Sequence, residues 1–466
     1  MSASESMPPY AGLALSLSVV EWWMIGAESS TESTENFQEL CDRCTALLLV
    51  RVVAQACGIS TGEGTTSICR KFLMKQEPWP EPITPSLINQ VEQYVRVILG
   101  KYNDCPYHNS KHACHVLMST NKLCELIAQS QLNGVHSYGL RKDSLANLAL
   151  IFAALIHDVE HQGIPNRQLA YEDDELAVLY NDLSIAEQRS LYVGFAEFLK
   201  PDYKELRDAL FPEKELYRKF RQHVVNLVLN TDIASPERTQ LFKSKFHEAF
   251  PKEVDGKLVR TFSASSFGSD VEEEEDENEE AEPEGSMLQH LKEKCKSLDT
   301  ALMTNIPKGP RRQRLGIRRS MDLSGEVLDS FSDHGQDPDA GGADGEDDLK
   351  LAVVMEIILT AADVAHNIQG WDQMALWSSR LYLELRKAYV NDRSAMDPSK
   401  QWFENQIGFL ESYLLPLCKK LDHIGVFGIV GPKFAEITTK NRDTWLIQGI
   451  KVTDQAIKDG AAAFPS

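Results

Sequence analysis

The chain carries no excess of positive charge. Its 466 residues hold 48 Lys and Arg against 69 Asp and Glu, a formal net charge of −21. Broad, non-specific binding to nucleic acid or to an anionic membrane surface needs clustered basic side chains, so the expectation excludes both kinds of partner. Cysteine is also thin. Nine in a chain of this length, an odd number, suggest no disulfide framework and agree with free thiols in a reducing compartment. Cys41 and Cys44 form a single CxxC, and no second pair completes a zinc site, so they read as two small core residues one helical turn apart. No segment suits a membrane span. The apolar stretch at residues 11–27 is short, is interrupted by Glu21 and lacks a basic region before it. The expected location is cytoplasmic.

Strand-turn-strand patterning and internal repeats are missing as well, which leaves helical periodicity as the dominant signal. Hydrophobic residues make up 42% of the chain, enough for a large core. Residues 147–161 are apolar nearly all round, as expected of a helix at the centre of a bundle. Residues 373–391 set Met374, Trp377, Leu381 and Leu385 along one stripe, and residues 403–421 do the same with Gln406, Phe409, Leu410, Tyr413 and Leu417. The expected class is all-α. Between residues 255 and 348 lie 24 Asp and Glu but only 11 Lys and Arg, with Gly and Ser clusters and few large apolar residues. Such a composition cannot repay the entropy of ordering. The expected organisation is therefore an N-terminal helical part (1–95), a first catalytic block (96–255), a disordered acidic insertion (256–348, with a short helix expected at 287–303) and a second catalytic block (349–466). In the insertion Ser269 precedes acidic residues and Ser320 follows Arg318 and Arg319, contexts that kinases of two kinds could use.

Three short blocks carry chemistry. His108 and His112 are four apart, so on a helix both imidazoles face one way. His157 and Asp158 end the buried apolar segment, and Asp363 ends another. A carboxylate in such a place is costly unless a compensating charge binds it, and a divalent cation supplies one. Two imidazoles and two carboxylates suit zinc or another first-row metal, and a neighbouring aspartate-and-water site suits magnesium or manganese. A carboxylate shared by two ions fits two-metal hydrolysis, and a histidine outside the ligand set can protonate a leaving oxygen. Any of these residues alone is more often an ordinary core or surface group. On pattern alone the function is no more specific than metal-assisted hydrolysis.

The segments around Gly100 to Tyr102, Pro106 to Ala113 and Ile156 to Gly163 with Asn166, then Leu179 to Asp182, Thr231-Asp232, Asp363 and Gln406 to Phe409, resemble class I cyclic nucleotide phosphodiesterases, in the family's order. The resemblance covers residues 95–421 firmly and 17–95 more weakly. It implies a compact multi-helix catalytic domain of HD type that hydrolyses cAMP, cGMP or both to the 5′-monophosphate. By matching position, His112, His157, Asp158 and Asp363 would hold the tighter metal, usually zinc, and Asp158 would bridge to a second, usually magnesium (or manganese). His161 and Thr231 would orient the waters there. His108 would be the acid, Glu187 the carboxylate that orients it, and Tyr107 its flank. Besides His108, Asp158 and Asp363, the nucleotide would meet Gln406 at the purine edge, Phe409 on one face of the base and Leu381 on the other.

The sequence departs from the family in two places. After Glu187 come Gln188-Arg189-Ser190 where Asn-His-His is usual, so a histidine is lost. His366 follows Asp363 where many members differ, a hint of acceptance of both cyclic nucleotides. Two rival readings stay open: a silent cyclic-nucleotide sensor, supported only by Arg189-Ser190, and another HD-type metal phosphohydrolase, against which Gln406 and Phe409 argue.

Overall fold

The computed structural model describes residues 36–59, 79–130, 135–251, 253–254, 257–258 and 344–465. Helix α1 is Phe37–Ala56, α2 Pro85–Leu99, α3 Ser110–Ser130, and α4 Ser144–Ile156. Asn36 and Glu39 form a reciprocal capping box at the start of α1, and Asp143 caps α4 through the Ala146 amide at 2.9 Å. Every residue of α4 after Ser144 is buried. It packs against α1, α2 and α3, against α7 (Ile185–Phe198) and most extensively against α9 (Lys214–Leu229). Fully burying a Leu, Ile or Phe side chain is worth about 1.5–3 kcal/mol, so this helix has one position available to it. Its one polar side chain in mid-helix, Asn147, donates to the carbonyls of Leu140 and Asp143. The apolar run expected to continue to residue 161 stops as helix at Ile156, and His157 and Asp158 begin a turn in the interior.

Between α4 and α9 lie α5 (Asn166–Tyr171), α6 (Glu175–Tyr180), α7 and α8 (Lys204–Leu210), followed by α10 (Pro236–Ala249). The second half of this unit contains α11 (Asp344–Asp363), α12 (Trp371–Val390), α13 (Trp402–Phe409), α14 (Leu415–His423) and the long α15 (Gly431–Ala463). A π-turn over Leu410–Leu414 joins α13 to α14. Helix α15 packs on α12, α13 and α14, and Asn441 on it donates to the carbonyls of Asn367 and Gln369, which fixes the short turn after Asp363. Residues 1–252 and 346–466 form this unit.

In the remaining unit, 253–345, the described strand pairing is one two-residue antiparallel ladder, Glu253 opposite Leu258 and Val254 opposite Lys257. The chain is all-α apart from it among the described residues. Most of the expected insertion, with Ser269, Ser320 and the helix expected at 287–303, lies outside the described residues, as does the stretch 11–27. The second catalytic block starts earlier than expected, because α11 is already helical from Asp344. Cys41 and Cys44 are buried in the core of α1 as free thiols. No helix among the described residues is long and apolar enough to cross a membrane.

Candidate active site

Three elements deliver the four residues of the cluster. Asn109 caps α3: its Oδ1 accepts the amides of Lys111 (2.9 Å) and His112 (3.1 Å), while its Nδ2 donates to the Cys105 carbonyl. That cap sets His112 in the first turn of α3, its side chain fully buried. The end of α4 supplies His157 and Asp158, and the last residue of α11 supplies Asp363. One ligand atom from each of these four residues lies within 4.8 Å of the others. His112 Nε2 is 3.0 Å from Asp363 Oδ1 and 3.5 Å from Asp158 Oδ2. His157 Nε2 is 3.0 Å from Asp158 Oδ2 and 3.6 Å from Asp363 Oδ1.

The donor set fits a divalent cation. His157 Nδ1 donates to the Ala154 carbonyl at 3.0 Å, which leaves the Nε2 lone pair for a ligand. That Nε2 is buried with no hydrogen-bond partner, although two carboxylates face it. Burial works against charge at Asp158 and Asp363, yet the surrounding imidazoles hold both carboxyls below the usual range. Burial also opposes a proton on His157, but Asp158 and Asp363 hold its pKa well above the ordinary value, whereas burial leaves that of His112 lowered. A cation displaces the His157 Nε2 proton, and two neutral imidazoles with two carboxylates then carry a charge of −2 that a divalent cation balances.

A second group, His108, Asp158 and His161, shares Asp158 with the first. His161 stacks against His108 with centroids 3.9 Å apart. Its Nδ1 accepts the Gly163 amide at 3.0 Å, placing its ring proton on Nε2, and burial followed by the His108 charge lowers its pKa to about 4. Thr231 is buried at the end of α9, with its hydroxyl donated to the Val228 carbonyl. Tyr107 packs edge-on to His108 and beside His112.

The carboxylate beside His108 is Glu384 and not, as expected, Glu187. Glu384 Oε1 lies 2.5 Å from His108 Nδ1, and its Oε2 accepts the backbone amides of Tyr107 (2.9 Å) and His108 (3.0 Å). Burial disfavours the imidazolium, but Glu384 and then Asp158 outweigh it and raise the His108 pKa to about 9; Glu384 itself falls to about 2. Glu187 instead sits in the first turn of α7. There it accepts from Asn166 Nδ2 at 2.8 Å, and burial with the charge of Asp232 raises its pKa to about 8. Glu384 had a signal in the sequence: it falls on the stripe of α12 that carries the buried Trp377 and Ala388, where a carboxylate needs a partner.

Gln406 is buried on α13, and its side-chain amide makes no hydrogen bond among the described residues. Phe409, one turn on, is half-buried and stacks on Tyr413 with centroids 5.3 Å apart and planes within 16°. Leu381 is half-buried one turn before Glu384. His366 is only 5% exposed and packs against Tyr107, His115 and Trp377, with Asn367 Nδ2 at 2.8 Å from its Nε2. That is a core position, held there by the turn that Asn441 fixes, rather than a wall of a base slot.

Residues 107–296 match the family model described as 3′5′-cyclic nucleotide phosphodiesterase. The chain is 35% identical over 142 residues to mouse 3′,5′-cyclic-AMP phosphodiesterase 4C, covering 30% of this chain and 19% of that protein. It is 36% identical over 131 residues to the Drosophila melanogaster 3′,5′-cyclic-AMP phosphodiesterase, isoform F, covering 28% and 18%. The matches thus span about a fifth of the length of these curated relatives. Among solved structures, the phosphodiesterase domain of a RhoPDE fusion protein from Salpingoeca rosetta shares the fold, with a TM-score of 0.52 at 16% identity over 95% of this chain and 99% of that one. A second structure of the phosphodiesterase domain from the same organism's rhodopsin phosphodiesterase gives a TM-score of 0.53 at 15% identity over 95% and 97%. Over residues 107–296, which hold three of the four residues of the histidine and aspartate cluster, the chain is thus similar to the 3′,5′-cyclic nucleotide phosphodiesterases, and its fold is that of the phosphodiesterase domains.

Proposed function

We propose that the chain hydrolyses the 3′,5′-cyclic phosphodiester of cAMP, cGMP or both to the nucleoside 5′-monophosphate. The observation that carries this reading is the His108–Glu384 pair next to a four-ligand cation cradle. His112, His157, Asp158 and Asp363 would hold the tighter cation, most suitably zinc, and Asp158 would be shared with magnesium or manganese. Bound there, the two cations supply Lewis-acid activation of the phosphodiester and of the attacking water.

The protein's own groups do the rest. Glu384 takes the Nδ1 proton of His108 as its hydrogen-bond partner, so the Nε2 proton is the one available to the departing O3′. The Nε2–H of His161 is placed to orient water beside Asp158. Thr231, with its hydroxyl spent on Val228, would act there through its backbone. The Gln406 amide, with no side-chain partner among the described residues, is available to a purine edge, and Phe409, backed by Tyr413, offers a flat face to a base whose other face Leu381 would cover. A silent sensor is not favoured, because all four cradle ligands are present and Arg189 and Ser190 displace none of them.

The test is hydrolysis of cAMP and of cGMP, separately, by purified protein with magnesium, before and after chelation. Chelator-sensitive 5′-AMP or 5′-GMP is the expected product. No product from either, with metal bound, would overturn the reading.

A further inference from the structure

Two of the three residues that depart from the family after Glu187, Arg189 and Ser190, both point at one turn. Arg189 donates from Nε (2.9 Å) and Nη2 (2.7 Å) to Glu160 Oε2, and Ser190 Oγ donates to the Val159 carbonyl at 3.0 Å. The next residue, His161, has its carbonyl held by Asn103 Nδ2 at 2.8 Å. Three consecutive residues are therefore tied, two of them to α7 and the third to the loop after α2. The turn needs such ties. Glu160 has φ +63°, in the left-handed region that costs a side-chain-bearing residue roughly 1–2 kcal/mol, and no helix continues through it. Asp158, shared by the two candidate cation groups, stands two residues before Glu160, and His161 directly follows it.

The ties are of unequal kind. Ser190 is fully buried, and so is Val159, so their hydrogen bond works in the interior. Arg189 and Glu160 are about a quarter exposed, and the Arg189 guanidinium also lies over the Tyr192 ring at 5.4 Å. An exposed ion pair is worth little for stability. Two N–H groups converging on one carboxylate oxygen fix direction all the same.

We propose that Arg189 and Ser190 are positioning residues: they clamp the Val159–Glu160–His161 turn so that Asp158 and His161 face the second cation position together. This inference rests on the cation reading above. It gives the Arg-Ser pair a task in place of the lost histidine, through the backbone and not through contact with substrate.

Manganese(II) alone is the probe, with free ion counted by electron paramagnetic resonance on the purified full chain, alongside melting temperature and the hydrolysis assay. Arg189→Ala and Ser190→Ala should each weaken manganese affinity by about tenfold, the size of loss seen when groups behind metal ligands are removed. The double variant Arg189→Ala/Glu160→Ala should lose no more than Arg189→Ala, because the two side chains act as one contact. Arg189→Lys should recover part of the affinity, since one ammonium replaces two donors. Turnover should fall with the affinity while the melting temperature barely moves. Wild-type-like manganese affinity in both single variants would overturn the clamp and leave the hydrolase reading standing. A wild-type chain that binds manganese and hydrolyses nothing would sink the hydrolase reading and leave the clamp intact. A wild-type chain that binds no manganese would overturn both.

Discussion

His108 and Glu384, 276 residues apart in sequence, meet with Nδ1 2.5 Å from Oε1. The contact decides the protonation of the candidate acid. His108 works as an acid only while protonated, and with its pKa raised to about 9 it stays protonated up to that pH and loses the proton above it. Turnover should therefore hold on the alkaline side until about pH 9 and then decline. In Glu384→Gln the limb should move down toward the ordinary imidazole value of about 6.5. His108→Ala should lower kcat by about 10²–10⁴ with cation content unchanged. A pH–rate profile of the three proteins measures both, and an unmoved limb in Glu384→Gln would remove the pairing from the mechanism.

That pairing also marks where the sequence stopped being legible. Helices α1 and α4 could be read from periodicity, because burial on one or all faces leaves a regular trace. The four cradle residues could be read because each ends or opens an apolar segment, where a polar group must be compensated. For Glu384 the stripe of α12 signals burial but names no partner, and the crossing of α12 against the loop before α3 brings it onto Tyr107 and His108. Glu187 was misread for the complementary reason. Its place in the chain matches a carboxylate of the family, but its side chain faces Asn166 and Asp232. His366 shows the same limit, since nothing local distinguishes a core imidazole from one that lines a pocket.

Gly163 should not tolerate a side chain. Its φ is +70°, and a Cβ there would stand 3.1 Å from Glu384 Cγ and 3.2 Å from Cys105 Sγ. Gly163→Ala should cost about 1–3 kcal/mol from the backbone conformation alone. It should also lower kcat, because the group pushed aside is the one that holds His108. Urea unfolding and steady-state rates on the same preparation check the two effects; a fall in stability with unchanged kcat would show that Glu384 can shift without consequence.

Removing cations should destabilise the fold as well as stop turnover. The cradle joins α3, the end of α4 and the end of α11, so a cation bound there favours the folded chain by linkage, about 4 kcal/mol at a thousandfold excess over its Kd. Chelation should lower the melting temperature, and re-addition of zinc with magnesium should restore it. Asp158→Asn should already melt lower than wild type and respond less to chelator. An unchanged melting temperature after chelation would argue against a bound cation.

At the nucleotide end, Phe409 and Gln406 should affect binding more than chemistry. Stacking a base on an aromatic ring is worth about 1–3 kcal/mol, so Phe409→Ala should raise KM by about tenfold or more with kcat changed little, the signature of binding lost equally from ground and transition states. Gln406→Ala should raise KM for cAMP and cGMP alike if the unpaired amide serves both purine edges. A cAMP preference above about a hundredfold (some 2.7 kcal/mol) in the wild type would overturn that symmetry. Steady-state parameters for both nucleotides settle it.

His115 supplies an acid-lability prediction independent of the reaction. It is 7% exposed on α3, its Nε2 lies 3.2 Å from Gln369 Oε1, and burial followed by the nearby His112 lowers its pKa to about 4. The unfolded chain takes up that proton near the ordinary value of about 6.5. Between those two values the unfolded state binds a proton that the folded state refuses, so stability falls as pH drops through the window and is unaffected above it. The loss has a ceiling of about 3 kcal/mol from this residue. His366, packed against it and likewise held well below the ordinary value by burial, adds in the same direction. Urea titrations at pH 7.5 and pH 5 should show the drop, and His115→Gln should flatten part of it. An equal drop in the variant would place the acid sensitivity elsewhere.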